Sequence, residues 1–358
     1  MVTAPIQPLA EIVPDQRLRE LPKADIHVHQ EWSPRLDRVL AKREGRAPHD
    51  WLEWAGRLIE ETEPGMARLR RLASVFPASR DADVLPENFI ARIADLLAEA
   101  ASEGAVLVEV RCGNETVQRP HFMSLFREAE RCVQQQYPAL RAEAVVPLLL
   151  WYAPEQLDRV LDACIEATGE GLAGIDFLYT PYDTEAEWVA AYRVAERAAA
   201  AGLGITAHAG EFSTANIDAA LRIPGLTRLG HAVYAARDPF LLERIAQRGV
   251  TVECCLSSNV VLGAVRSYEE HPIRRFMEFG IPLALCTDDP VQLWTTIGRE
   301  YAIAAALGFS AAELLGFTAN AVRACFAPAE RRLPLLAELQ AWQKRLLPPL
   351  DRFSITDS

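Results

Sequence analysis

Four of the seven histidines in this chain of 358 residues stand in a pattern that could hold a metal. His27-Val28-His29 is the first piece. In an extended strand, residues i and i+2 share a face, so both imidazoles point the same way and form a ready chelate. Imidazole suits zinc, although such a pair by itself also occurs on protein surfaces. His208 is followed by Ala209, Gly210 and Glu211, which sets a third imidazole one flexible turn from a carboxylate. His231 closes the run Arg228-Leu229-Gly230, and Thr287-Asp288-Asp289-Pro290 follows the apolar Leu283–Cys286. Three neutral imidazoles and a carboxylate would balance the charge of zinc and leave room for a water, whose pKa the metal lowers to about 7. The chemistry of such a set is hydrolysis by an activated water. Adjacent side chains at a strand end diverge, so Asp288 can serve the metal while Asp289 serves a substrate. His49, His121 and His271 stand in helical or loop surroundings, where surface or capping roles are expected.

Each motif ends a short apolar run, and these runs recur along the chain. They are Ala24–His29, Ala105–Arg111, Glu143–Leu150, Leu172–Phe177, Gly204–His208, Thr227–His231, Val250–Cys254 and Pro282–Cys286. Between them the apolar residues recur at three- and four-residue spacing, as in Glu87–Glu103, Glu155–Thr168, Glu185–Ala201, Pro239–Arg248 and Pro272–Phe279, which predicts helices. Strands alternating with helices pair in parallel through crossovers. Eight repeats favour an α/β fold of the (β/α)8 TIM-barrel kind, with every motif at the C-terminal mouth where barrel active sites lie. From residue 34 to residue 86 several helical patterns (Arg35–Glu44, His49–Glu61, Met66–Val75) replace a single crossover helix. This helical insertion after the first strand is expected at the mouth, as a lid. Extra C-terminal helices, about Val291–Leu307, Ala311–Cys325 and Ala329–Arg345, complete the shell. No linker or fixed repeat divides residues 1–358, so one domain is expected.

A formal charge of −12 argues against a nucleic-acid partner, which needs a concentrated positive field. The cluster Arg68, Arg70, Arg71 reads as the solvated face of a helix. The seven cysteines have no CxxC spacing; adjacent Cys254 and Cys255 read as core packing, in keeping with a reducing compartment. Met1 to Asp15 lacks the features of a signal peptide, and the apolar stretch Ala142–Ala153 is too short to span a bilayer. A cytoplasmic protein without membrane contact is the expectation. Gly169-Glu170-Gly171-Leu172-Ala173-Gly174 spells a dinucleotide fingerprint, but it follows a helix and precedes a strand, the reverse of what that motif needs. It is read as a turn.

Taken in order, Pro22-Lys23-Ala24-Asp25-Ile26-His27-Val28-His29, His208-Ala209-Gly210-Glu211, Gly230-His231 and Thr287-Asp288-Asp289-Pro290 resemble the adenosine deaminase family of the amidohydrolase superfamily. Ser258-Asn259 and Glu270-His271-Pro272-Ile273-Arg274-Arg275 add to the likeness, which runs from about Leu21 to Cys325. The resemblance implies one zinc per chain, bound by His27, His29, His208 and Asp288. It implies that Glu211 protonates a ring nitrogen of the substrate and that Asp289 hydrogen-bonds another. His231, with Asp288, would orient the attacking water and accept its proton. An acid on the ring and a nucleophile on the adjacent carbon are what aromatic deamination needs. The implied reaction is deamination of adenosine or a related aminopurine, a small-molecule substrate, with release of ammonia.

The chain departs from the family at two places. After the histidine pair the family has Leu, an acid, Gly, then Ser or Ala; here Gln30, Glu31, Trp32 and Ser33 follow. After the fourth strand the family has Gly-Ile-Asp-Leu-Ala-Gly; here Gly174, Ile175, Asp176, Phe177, Leu178 and Tyr179 stand. Glu31 keeps the acid that would touch a sugar, while Trp32 and Tyr179 replace glycines at expected substrate contacts. Either the loops are shifted and the pocket is intact, or the pocket is reshaped for another substrate. The second reading makes adenosine a poor substrate beside a modified or sugar-altered aminopurine. A hydrolase of some non-nucleoside heterocycle, or a relative that binds without catalysis, is the alternative.

Overall fold

The computed structural model describes residues 12, 14, 16–30, 33–74, 85–178 and 188–346. Eight strands run in sequence order around one sheet: β1 Lys23–His29, β2 Ala105–Arg111, β3 Arg141–Leu149, β4 Gly174–Leu178, β5 Gly204–Ala209, β6 Arg228–His231, β7 Thr251–Cys254 and β8 Leu283–Leu285. Every neighbouring pair is parallel. All eight are buried almost throughout, which is why they read as apolar runs without alternation. The seam between β8 and β1 is drawn together by a bridge between Val28 and Asp288. There the Asp288 N–H donates to His27 O and the His29 N–H donates to Asp288 O, both at 2.8 Å. The result is a nearly closed (β/α)8 barrel, as the alternation predicts. A chain that turns from β8 straight into this seam delivers a carboxylate beside two histidines.

The crossover helices Pro86–Ser102, Pro154–Thr168, Val189–Ala200, Pro239–Arg248 and Ile273–Glu278 match the periodic segments. Helices Phe122–Gln134, Ile217–Leu221 and Leu256–Val261 were not anticipated; the last two are too short to establish a period. Gly169–Gly174 forms the turn into β4, with Gly171 at φ 97°, so the dinucleotide reading fails as expected. Cys254 and Cys255 are both in the core. Among the described residues no helix is long and apolar enough to cross a membrane.

At the N-terminal end of the barrel a ring closes the floor. Arg228 pairs with Glu109, and its guanidinium lies 3.6 Å from the centroid of Phe326. Phe326 seats against Gly174 and Gly204, where any Cβ would collide with its ring. Only glycine permits that approach.

The described part of the insertion comprises helices Arg35–Glu44, Trp51–Glu61 and Met66–Ala73. Asp50 caps the second of them by accepting from the Glu53 N–H at 2.9 Å. Ala55, Leu58 and Leu72 pack against Val261, Leu262 and Leu293, with Phe212 alongside, in an apolar cluster separate from the main core. The insertion therefore rests on loops that follow β5, β7 and β8. Arg68 is the exception to a solvated helix face. It is buried, and its guanidinium donates to the carbonyls of Ile59, Thr62 and Val261 at 2.8–3.0 Å. Those carbonyls belong to chain turns that need donors, so the charge serves the backbone. Arg70 and Arg71 are exposed, as expected.

Candidate active site

β1, β5, β6 and the residue after the β8 turn bring their side chains to one point at the C-terminal mouth. His29 Nε2 lies 3.3 Å from His27 Nε2 and 3.2 Å from His208 Nε2. Asp288 Oδ1 lies 3.5 Å from both His27 Nε2 and His29 Nε2. His231 joins the same cluster, with His27, His208, His231 and Asp288 offering ligand atoms within 4.8 Å of one another. All are buried.

These spacings suit a metal. Nitrogen ligands at the usual zinc distance, tetrahedrally arranged, stand about 3.3 Å apart. Lone pairs held that close without an ion between them would repel, so the donor set fits a divalent cation. Contacts of 3.2–3.5 Å link His29 to His27 and His208, and Asp288 to His27 and His29. His231 Nε2 also lies 3.9 Å from Glu211 Oε2.

For His27 and His208 the far side of the imidazole explains which nitrogen faces inward. His27 Nδ1 is 2.6 Å from Glu253 Oε2, and His208 Nδ1 is 3.1 Å from Asp176 Oδ1. A carboxylate there fixes the proton on Nδ1 and leaves the Nε2 lone pair for a metal. Arg111 joins the two carboxylates, donating to Asp176 through Nε and to Glu253 at 2.8 Å. Arg228 Nε lies 2.8 Å from the other Glu253 oxygen. Burial works to raise both acids, but the His208 contact and the Arg111 charge at Asp176, and the charges of Arg111 and Arg228 at Glu253, hold each well below the usual range. Burial lowers His208 to about 4 and His231 well below its ordinary value. For Asp288, burial is outweighed by the hydrogen bond to His27 and the neighbouring imidazoles, so it stays ionised. Neutral imidazoles and an ionised carboxylate are the forms a metal takes.

Asp288 is held from behind as well. Ser258 Oγ donates to its Oδ2 at 2.6 Å. Thr287 Oγ1 donates to Asp25, whose other oxygen accepts from the His27 N–H at 3.2 Å. Asp288 and His231 both adopt positive φ, 65° and 63°. Non-glycine residues hold that conformation at a cost, and such outliers cluster at functional sites.

Of the residues singled out from sequence, His27, His29, His208, Glu211, His231, Asp288 and Asp289 are buried at this mouth. Glu31, Trp32 and Tyr179 lie outside the described residues. Asp176, Glu253 and Arg111 were missed. Their signal was there: each is a charge flanked by apolar residues (Ile175-Asp176-Phe177, Val252-Glu253-Cys254, Val110-Arg111-Cys112), where a buried charge must be paired.

His271 corrects an expectation. It is buried, and its Nε2 lies 3.1 Å from Asn259 Oδ1, while Asn259 Nδ2 lies 3.2 Å from His231 Nδ1. The loop that carries it folds back under helix Leu256–Val261, which spacing along the chain does not reveal.

A family model described as adenosine deaminase matches residues 22–342. An adenine deaminase of Chelativorans sp. (strain BNC1) is 30% identical over 331 residues, spanning 89% of this chain and 98% of the relative. Arabidopsis ADAL complexed with IMP superposes with a TM-score of 0.75 at 21% identity, covering 93% of this chain and all of that one. An amidohydrolase from Burkholderia ambifaria with bound Zn gives 0.74 at 20% identity, covering 94% and 95%.

Proposed function

The chain belongs to the adenosine deaminase family of hydrolases acting on C–N bonds of cyclic amidines, and from that premise we propose that it is a zinc-dependent deaminase of a 6-aminopurine. The observation that carries this reading is the convergence of three Nε2 atoms and Asp288 Oδ1 at 3.2–3.5 Å, beside a buried Glu211. His27, His29, His208 and Asp288 would hold the zinc. When bound, the ion supplies Lewis acidity that makes water nucleophilic near neutral pH.

The remaining work falls to the chain's own side chains. Glu211 donates a proton to the ring nitrogen next to the amino-bearing carbon, which makes that carbon electrophilic. Asp289 hydrogen-bonds a second ring nitrogen and fixes the purine in its plane. His231 orients the attacking water. The oxygen of water replaces the amino group, which leaves as ammonia. The buried mouth under the helical insertion keeps bulk water away from these groups.

The free base adenine, or a sugar-altered aminopurine, is the preferred substrate in this reading, and adenosine is a poor one. Two features support it. A 30% identical relative spanning nearly the same length is an adenine deaminase, and Trp32 and Tyr179 replace glycines at positions expected to touch substrate. The test is kcat/KM for ammonia release from adenine, adenosine, AMP and N6-methyladenine, since that ratio measures differential transition-state binding. Adenine should exceed adenosine by at least ~10-fold. Adenosine turned over at ~10⁵ M⁻¹s⁻¹ or faster, with no better substrate, would remove the substrate assignment. No ammonia from any aminopurine would remove the reading itself.

A further inference from the structure

Glu211 has to deliver a proton to one ring atom, so the turn that carries it must stand still. Proton transfer needs heavy atoms within about 2.6–3.2 Å, and a misplacement of about 1 Å can cost ~10²-fold. The residue before Glu211 works against that need. Gly210 sits at φ 72°, a region that glycine alone enters freely, and glycine also gives the backbone its greatest freedom. A side chain does not fit there: a Cβ would stand 2.8 Å from Ile217 Cδ1 and 3.0 Å from Ala232 Cα.

Three hydrogen bonds take that freedom away. The Ala209 carbonyl accepts from the Ala232 N–H at 3.0 Å, and the Gly210 carbonyl accepts from the Tyr234 N–H at 2.7 Å. Both tie the turn to the segment that follows β6. The third comes from the loop after β5, and of the three it alone involves a side chain. The Gly210 N–H donates to Asn216 Oδ1 at 3.0 Å.

Asn216 is completely buried, as is Ile217 beside it. Its backbone is fixed too, because its carbonyl accepts from the Ala220 N–H at 3.0 Å where helix Ile217–Leu221 begins. Asn216 and Ile217 therefore meet Gly210 together. One takes its N–H, and the other fills the space a side chain would occupy. Without the Asn216 oxygen the buried Gly210 N–H loses this acceptor, a state that folded chains avoid. The turn then shifts to satisfy it, and Glu211 moves with the turn. His208 is spared, since it lies within β5 and Asp176 holds its far side.

We infer that Asn216 is a positioning residue, which fixes the peptide before Glu211 and so holds that carboxyl at the ring nitrogen it protonates. The inference rests on the proposed deaminase reading for its kinetic consequence, but not for the hold on the turn.

The test uses the zinc-loaded full chain and two substitutions of similar size. Asn216→Leu removes the acceptor, whereas Asn216→Asp keeps an oxygen toward Gly210. On the best aminopurine substrate, kcat of Asn216→Leu should fall about 10- to 100-fold, with KM within about threefold and zinc content unchanged. Asn216→Asp should recover most of that loss. In a Glu211→Gln background the Asn216→Leu change should cost less than about twofold, because its route to the reaction is already gone. A full additional loss in that background, equal losses in the two Asn216 variants, or wild-type kcat in Asn216→Leu contradicts the proposal. The second arm needs no substrate. Hydrogen exchange of the Gly210 amide, followed in ¹⁵N-glycine-labelled protein, should be at least ~10-fold faster in Asn216→Leu than in wild type. In Asn216→Asp it should stay near the wild-type rate. Equal exchange in Asn216→Leu and wild type overturns the proposal, whatever the substrate proves to be. If wild type deaminates no aminopurine, the functional reading fails while the exchange rates still decide whether Asn216 holds the turn.

Discussion

Glu211 is buried beside His231 but is not one of the group of atoms 3.2–3.5 Å apart, so a substitution there leaves that group in place. Glu211→Gln keeps the shape and deletes the acid. Zinc content, measured by elemental analysis, should match wild type while kcat falls by at least ~10²; equal activity would exclude Glu211 as the proton donor. Asp176 separates the opposite way. It touches no expected substrate atom but holds His208 Nδ1 at 3.1 Å. Asp176→Asn should weaken zinc affinity about 10- to 100-fold, read by competition with a chelator. Unchanged affinity would mean that the Arg111 network only fills the barrel. The histidines and aspartates of the proposed site were legible because spacing puts them at strand ends. Asp176 and Glu253 were not, because their importance lies in what they touch across the barrel, and a contact between strands leaves no spacing in the chain.

At the scale of elements, helix Ile297–Ala306 carries a buried acid with no role in the proposed reaction. Glu300 accepts from Thr295 Oγ1 at 2.6 Å and from the Ser257 N–H at 3.3 Å, tying the segment after β8 to the one after β7. Burial raises its pKa from 4.5 to about 7. A carboxyl raised in the folded state favours folding below its unfolded value, and that contribution is lost as pH rises through the folded value. Stability should therefore decline between about pH 4.5 and 7, by on the order of 3 kcal/mol from this group. Urea unfolding at pH 5 and pH 8 checks it: the decline should shrink in Glu300→Gln, and an identical decline in both proteins would contradict the assignment. The strands were legible because each lies in a short, largely apolar run between helical patterns. The insertion was legible as helices, but its docking was not. Arg68 looks like any surface arginine until Ile59, Thr62 and Val261 are seen to need its donors.

Across the whole molecule, the barrel gathers residues 27 to 288 because parallel strands all end at the same mouth, and the β8–β1 seam closes through Asp288 itself. That closure joins fold and chemistry: the residue that completes the ring of strands is also the carboxylate of the donor set. The eightfold alternation made the architecture readable from sequence. The floor built from Arg228, Glu109 and Phe326 was not, since Phe326 reaches it from beyond the eighth strand. The central claim is that a metal held by His27, His29, His208 and Asp288 makes this chain a deaminase. The most direct measurement is ammonia release from adenine by chelator-stripped protein as zinc is returned stepwise. Activity should be absent at the start, rise in proportion to zinc, and level off at about one ion per chain; Asp288→Ala should stay inactive over the same additions. Full activity in the stripped protein, or a plateau reached equally by Asp288→Ala, would contradict the account.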